Sequence, residues 1–284
     1  MISSKTKTLE ILNKNELFAK KKYGQNFLID PNIVQKIAKV SEVDKNAGVI
    51  EIGPGIGAMT EVLCMQAKRV ICFEIDEDMV NILNQELNFD NLEIVNIDFL
   101  KVDLDNYFNK FKDCEKVVVV SNLPYYITTP IIFKLLQYSK NIYKMVFMVQ
   151  KEVSLRLTAK PNCKDYGSLS VLIKLNGDMK REFIVTRNCF YPAPNVDSEI
   201  VSMLISKNDC SVKYKPIFEK FIQNCFEMKR KTLVNNITNK YSISRDEITE
   251  ILKHYNISES VRSESLTLDQ FINIYNELIN NNKL

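Results

Sequence analysis

The chain has 284 residues, 45% of them hydrophobic and 26% charged, and a formal net charge of +3. These values belong to a folded globular protein and exclude disordered, collagenous and fibrous chains. The single histidine, His254 in a polar KHYN stretch, excludes multi-histidine metal centres, and seven scattered cysteines without a C-x-x-C pair exclude zinc ribbons and disulfide scaffolds.

Scattered thiols of this kind fit a reducing, cytoplasmic setting. No apolar run reaches the roughly 18 residues of a membrane span, and the N-terminus lacks the apolar core of a signal peptide. Residues 1–22 carry six lysines and two glutamates, a local charge of +4. Such a block is either a nucleic-acid contact or a solvated helix face. We treat residues 1–20 as a basic N-terminal extension.

From residue 47 to 150, short β-branched runs alternate with helix-patterned stretches. The expected strands are 48–52 (GVIEI), 70–75 (VICFEI), 92–97 (LEIVNI), 117–121 (VVVVS) and 145–149 (MVFMV). Helical patterns occupy 58–67, 77–87 and 130–138. Alternation of this kind predicts βαβ units and a parallel sheet covered on both faces. Segments 180–186 and 199–206 alternate polar and apolar residues and flank a proline-containing loop, which predicts an antiparallel pair added at one end of the sheet. Beyond about residue 208 only helical spacing remains, at 217–225, 231–237, 245–255 and 268–278. The predicted organisation is an α/β domain over 1–207 and a small all-α domain over 208–284. Seven Lys/Arg against two Glu in 213–240 give that stretch +5, so the rest of the chain is mildly acidic.

Three of the seven glycines, Gly53, Gly55 and Gly57, fall within five residues, between the first strand and its helix. Glycine lets a backbone turn tightly and approach a ligand with no Cβ in the way. The stretch EIGPGIG fits the E-x-G-x-G-x-G loop of S-adenosylmethionine (SAM) methyltransferases at every position. It fits a dinucleotide fingerprint only loosely, and a purely structural turn is the third reading. Glu74, 21 residues after Gly53 at the tip of the next strand, can accept from both hydroxyls of an adenosine ribose. Asp98, ending the third strand, can either accept from an adenine amino group or cap the following turn.

After the fourth strand stands Asn122-Leu123-Pro124-Tyr125. The pattern [N/D/S]-[P/I/L]-P-[Y/F/W] marks methyltransferases acting on exocyclic amines. The lone pair of such an amine is conjugated with its ring and is a poor nucleophile. Acceptors placed on its N–H groups favour a pyramidal nitrogen and free the lone pair. Asn122 can supply one through its side chain and Leu123 another through its carbonyl, with Pro124 stiffening the turn. Tyr125 can stack on the target ring. No strong base is needed, because the amine becomes acidic once methylated; what remains is alignment. A base entering this pocket must leave its stack, and Phe190 in FYPAPNVDS is the candidate for covering its second face, unless it plugs the hairpin.

With YGQNFL, EIGPGIG, FEID, NIDF, NLPY, QKEV, YGSLSV, FYPAPNVDS and FEMKRKTLVNN in this order, the chain from about residue 20 to 275 resembles the bacterial rRNA adenine N6,N6-dimethyltransferases. The resemblance implies a Rossmann-like class I SAM methyltransferase sheet, mostly parallel with a terminal antiparallel strand, plus a small helical C-terminal domain. It implies SAM as methyl donor, with S-adenosylhomocysteine as product, and no metal. Gln25, Asn26 and Leu28 would close over SAM. Gly53 and Gly55 would bind its amino-acid end, Glu74 with Ile75 its ribose, Asp98 with Phe99 its adenine, and Asn122 would lie near the methyl donor. Asn122, Leu123, Pro124, Tyr125 and Phe190 would handle the target base. The substrate implied is a pair of adjacent adenines in the 3′-terminal hairpin of 16S rRNA within the 30S subunit, modified late in subunit biogenesis. Lys229, Arg230 and Lys231 would contact rRNA phosphates, and a monomer suffices. The rival readings are an Erm-type methyltransferase of 23S rRNA and a non-catalytic ribosome assembly factor. A nicotinamide-dependent dehydrogenase leaves NLPY without a purpose.

Overall fold

The computed structural model describes residues 1–15, 25–206 and 212–284. Tyr23, Gly24, the lysines at 20–22 and the expected domain boundary at 207/208 lie outside the described residues. The chain forms two compact units, Met1–Ser154 with Met179–Ile205 and Leu155–Asp178 with Ser206–Leu284.

The first unit opens with a helix, α1 (Lys5–Lys14), capped by Ser4. Its apolar side is short but fully used: Ile2, Ile11 and Leu12 join a buried cluster with Phe27, Ile56, Ala58, Met79, Ile82 and Leu83. Lys7 and Lys14 both pair with Glu86, at 3.3 and 3.6 Å. The described part of the basic N-terminal extension is thus a docked helix. Burying an isoleucine and a leucine yields roughly 2–3 kcal/mol each, enough to outweigh the surface charge that dominates its composition.

In chain order the strands are β1 (Phe27–Leu28), β2 (Ala47–Ile52), β3 (Arg69–Glu74), β4 (Leu92–Asn96), β5 (Lys116–Asn122), β6 (Lys144–Gln150), β7 (Gly177–Val185), β8 (Phe190–Tyr191) and β9 (Ser198–Ile205). Seven of them form one sheet in the order β4-β3-β2-β5-β6-β9-β7, while β1 pairs with β8. The pairs from β4 through to β6 are parallel and β9 is antiparallel to β6. Every residue of β2 is buried, Glu51 included, as a strand covered on both faces requires. The helices are α2 (Pro31–Ser41), α3 (Thr60–Gln66), α4 (Glu77–Glu86), α5 (Leu104–Phe108), α6 (Thr128–Gln137) and α7 (Lys151–Leu157). Asp30 and Asp76 cap α2 and α4 by accepting backbone N–H bonds. One sheet face is filled by Val49, Val70, Val118, Val120 and Val146 against Val34, Ile37, Val62 and Leu63 of α2 and α3. No helix among the described residues is long and apolar enough to cross a membrane.

The second unit holds α8 (Ser168–Asn176), α9 (Lys215–Cys225), α10 (Leu233–Lys240), α11 (Arg245–His254) and α12 (Leu268–Asn280). Thr232, Ser244 and Thr267 cap the last three, the latter two in capping boxes with Glu247 and Gln270. Its core is aromatic: Phe218 and Tyr275 meet edge-on at 5.0 Å and Phe221 lies 5.6 Å from Tyr275. Here the structure departs from a single cut near 207, since residues 155–178 belong with the C-terminal helices. The apolar α8 is buried nearly all round and needs cover on every side. Tyr166 Oη donates to the Leu266 carbonyl at 2.9 Å and Lys215 Nζ donates to Asn176 Oδ1 at 2.6 Å, tying the insertion in.

Candidate active site

The sheet reverses its winding between β2 and β5, and ligands of open α/β sheets bind beyond the strand ends at such a switch point. A cleft of about 360 Å³ lies there. Its lining includes the expected Gln25, Asn26, Leu28, Gly53, Gly55, Glu74, Ile75, Asp98, Phe99, Asn122, Leu123, Pro124 and Tyr125.

The glycine loop leaves β2 with φ of +64°, +58° and +90° at Gly53, Gly55 and Gly57, a region costly for residues with a Cβ. The three positions differ in what surrounds them. A Cβ on Gly57 would come within 2.8 Å of Leu87 and 2.9 Å of Leu83, so this glycine lets the loop pack on the α4 segment. A Cβ on Gly55 would meet only the Phe27 ring, at 3.4 Å, and one on Gly53 only Pro124, at 3.8 Å. The helix starts at Thr60, two residues later than its pattern predicts, because the loop is still turning through Gly57.

Glu74 is 6% exposed. Its carboxylate accepts from the backbone N–H of Gly55 at 3.2 Å and of Asp76 at 3.0 Å. Burial pushes its pKa above the usual range, opposed by these two hydrogen bonds. Gln25 Nε2 donates to Asp76 Oδ2 at 2.8 Å, which fixes the start of the β1 segment beside the cleft. Asp98 does cap the following turn, accepting from Leu100 N at 3.0 Å, and it lines the cleft as well. The turn is held from behind by Lys134 of α6, whose ammonium donates to the carbonyls of Phe99 and Leu100, both at 2.9 Å, and of Val102. Burial lowers the pKa of Lys134, while Asp98 and Asp103 act to raise it.

Asn122 ends β5 with its Nδ2 donating to the Asn26 carbonyl at 3.4 Å. Asn122 lines the cleft, and with Nδ2 engaged its Oδ1 is the side chain's acceptor. Leu123 N donates to the Met148 carbonyl at 3.1 Å, and Ile127 N and Thr128 Oγ1 both donate to the Pro124 carbonyl, at 3.2 and 3.0 Å. The turn therefore presents Asn122 and Tyr125 on a stiff frame.

A glycine-loop cleft with an acid on each of the next two strand ends, and NLPY closing it, has counterparts among known proteins. A family model described as ribosomal RNA adenine dimethylase matches residues 17–280. The chain belongs to that family. Its relatives include the Ribosomal RNA small subunit methyltransferase A of Streptococcus sanguinis, 44% identical over 270 residues, which are 93% of either chain. That of Bacillus pumilus is 41% identical over 283 residues, 98% of this chain and 97% of the relative. Among solved structures, a dimethyladenosine transferase from Plasmodium falciparum superposes with a TM-score of 0.76 at 26% identity, covering 90% of this chain and 98% of that one. The 23S rRNA methyltransferase ErmE shares the fold, with a TM-score of 0.65 at 24% identity over 89% of this chain and all of that one. The sheet is that of a class I SAM-dependent methyltransferase, and the activity is dimethylation of adenine in ribosomal RNA.

Two groups of expected residues lie elsewhere in the dimethylase. Phe190 is 3% exposed, packs in the core cluster with Leu28 and Val34, and is not among the cleft-lining residues. Pairing of Leu28 with Phe190 in the β1–β8 ladder puts the two side chains on the same face of that ladder. Phe190 therefore lies directly behind the cleft wall, next to the cleft-lining Leu28. Tyr126, 56% exposed and lining the cleft, is the second aromatic at the mouth; its only sequence signal is its place directly after NLPY. Glu51, on the cleft floor, is the other residue that motif reading leaves without a role. It is 1% exposed and accepts from Cys72 Sγ at 3.4 Å, and burial pushes its carboxyl up to about 7. Lys229, Arg230 and Lys231 are exposed in the link between α9 and α10, with Lys229 Nζ 3.5 Å from the Lys164 carbonyl.

Proposed function

We propose that this dimethylase transfers methyl groups from SAM to N6 of two adjacent adenines in the 3′-terminal hairpin loop of 16S rRNA, within the small subunit, as a cytoplasmic monomer. The observation that carries the reading is Asn122 at the end of β5, on the same cleft as the glycine loop and Glu74. The names of the small-subunit relatives support the choice of subunit.

The residues present fit SAM. Backbone at Gly53 and Gly55 faces a cleft that a Cβ would narrow, and two carboxylates at strand ends suit hydroxyl and amino donors. SAM, when bound, supplies an electrophilic methyl group on sulfur. Glu74 accepts from the ribose hydroxyls while its backbone bonds to Gly55 and Asp76 keep it in place. Asp98 and Phe99 receive the adenine, with Ile75 beside the ribose. Gln25, Asn26 and Leu28 cover the site from the β1 side. Asn122 Oδ1 and the Leu123 carbonyl accept from the target amine and pyramidalise its nitrogen, Tyr125 stacks on the target ring, and Tyr126 adds apolar surface at the mouth. The proton released by the methylated nitrogen passes to solvent. Lys229, Arg230 and Lys231 contact rRNA phosphates.

Labelled SAM supplied with unmethylated 30S and 50S subunits, followed by mapping of the labelled nucleotide, tests the reading. Label is expected at two neighbouring adenines of the 16S 3′ hairpin. Label in 50S alone overturns it in favour of the Erm-type reaction.

A further inference from the structure

The stretch FYPAPNVDS has its aromatic Phe190 in the core, yet its last residue reaches the catalytic loop. Ser198 is fully buried, and its Oγ lies 2.8 Å from the Tyr125 hydroxyl. Resting on the reading that Tyr125 stacks on the target adenine, we propose that Ser198 is a positioning residue for methyl transfer, holding the plane of the Tyr125 ring before the base arrives.

The frame around Ser198 is rigid on both sides. Before it, the Asp197 carbonyl accepts from Lys151 N at 3.2 Å and the Asp197 carboxylate accepts from Arg187 N at 3.0 Å. After it, Glu199 accepts from Arg181 Nε at 2.9 Å and is bonded to Ser154. Ser198 opens β9 opposite Gln150 of β6, and the same end of β6 anchors the catalytic loop through the Leu123 N bond to Met148. One strand end thus fixes the backbone of NLPY and, through Ser198, the far tip of its tyrosine. A tyrosine held only at its backbone pivots about two side-chain bonds; one held also at its hydroxyl presents a preset stacking face. The half-buried phenol needs a hydrogen-bond partner, and Ser198 supplies it. Burial raises the pKa of this phenol while the Ser198 bond acts to lower it.

The test is single-turnover methylation of unmethylated 30S subunits by the full chain, with SAM affinity measured in parallel, for Ser198→Ala, Ser198→Thr, Tyr125→Phe, Tyr125→Ala and the double variant Tyr125→Phe/Ser198→Ala. Losing one restraint on an aromatic side chain slows transfer about 3- to 10-fold. Ser198→Ala and Tyr125→Phe are each expected to show that loss with unchanged SAM affinity. The double variant should be no slower than either single one, and Ser198→Thr should recover the rate. Wild-type rates for both Ser198→Ala and Tyr125→Phe, with Tyr125→Ala impaired, overturn the positioning role alone. A wild-type rate for Tyr125→Ala overturns the stacking role on which it rests. Should Ser198→Ala lose SAM binding or fold poorly, Tyr125→Phe removes the same hydrogen bond from the other side and decides.

Discussion

Glu51 makes the folding stability of the cofactor-free enzyme fall with rising pH. Its carboxyl is 1% exposed on the central strand β2, opposite Cys72 of β3, with no cation among the causes that set its pKa. Burial penalises the charged form and moves the pKa from 4.5 in an open chain to about 7. Between these values the unfolded chain has released the proton and the folded chain still holds it. The folded state therefore binds more protons, and unfolding becomes easier as pH rises. A gap of about 2.5 pH units, at about 1.4 kcal/mol per unit, gives a ceiling of about 3 kcal/mol. Glu51→Gln keeps a neutral acceptor for the Cys72 thiol and removes the titration. The variant is expected to match the wild type near pH 4.5, to gain about 2 kcal/mol on it at pH 6 and about 3 kcal/mol by pH 8. Urea unfolding of both ligand-free proteins at several pH values measures the difference directly. The pKa of buried Glu74 is raised in the same direction and this residue is present in both proteins, so its own contribution largely cancels, its charge adding a small part to the rise at Glu51. Stability curves that run parallel from pH 4.5 to 8 would refute the reasoning.

Asn122→Ala removes the acceptor for the target amine and should lower the methylation rate by about 10²–10³-fold, as for other preorganised polar groups at a reacting centre, while SAM affinity stays within a few-fold; near-normal turnover sinks the proposed role. Lys134→Met takes the ammonium from three carbonyls behind the Asp98 turn. A rise of about 10-fold in KM for SAM with little change in kcat is expected, given about 1.5 kcal/mol for one charged hydrogen bond, and an unchanged KM contradicts that function. Replacing Lys229, Arg230 and Lys231 together by Glu should weaken 30S binding and flatten its salt dependence without touching SAM affinity; unaltered binding removes these residues from the rRNA contact.

The strands from 47 to 150 were legible because both faces of a parallel sheet are covered, leaving uninterrupted β-branched runs such as VVVV. Their ends differ from the sequence reading by a residue or two. The glycine loop and NLPY were legible for another reason: each is a contiguous stretch whose task demands particular residue types, backbone without Cβ in one and rigid acceptors beside an aromatic in the other. Helix α1 was hidden because its apolar residues are few and spread among lysines, and only the α4 surface and the glycine loop show what they cover.

Sequence by itself determined the chemistry, through local motifs whose residues perform their parts wherever the turn is placed. Tertiary structure decided which side chains reach that chemistry from afar. In a strand, neighbouring residues face opposite sides, and FYPAPNVDS alone does not say which side meets the cleft. Pairing with β1 sets Phe190 beside Leu28, and pairing with β6 carries Ser198 to the Tyr125 hydroxyl. The same holds for residues 155–178, whose place with the C-terminal helices follows from contacts such as Tyr166 to Leu266, 100 residues apart in the chain.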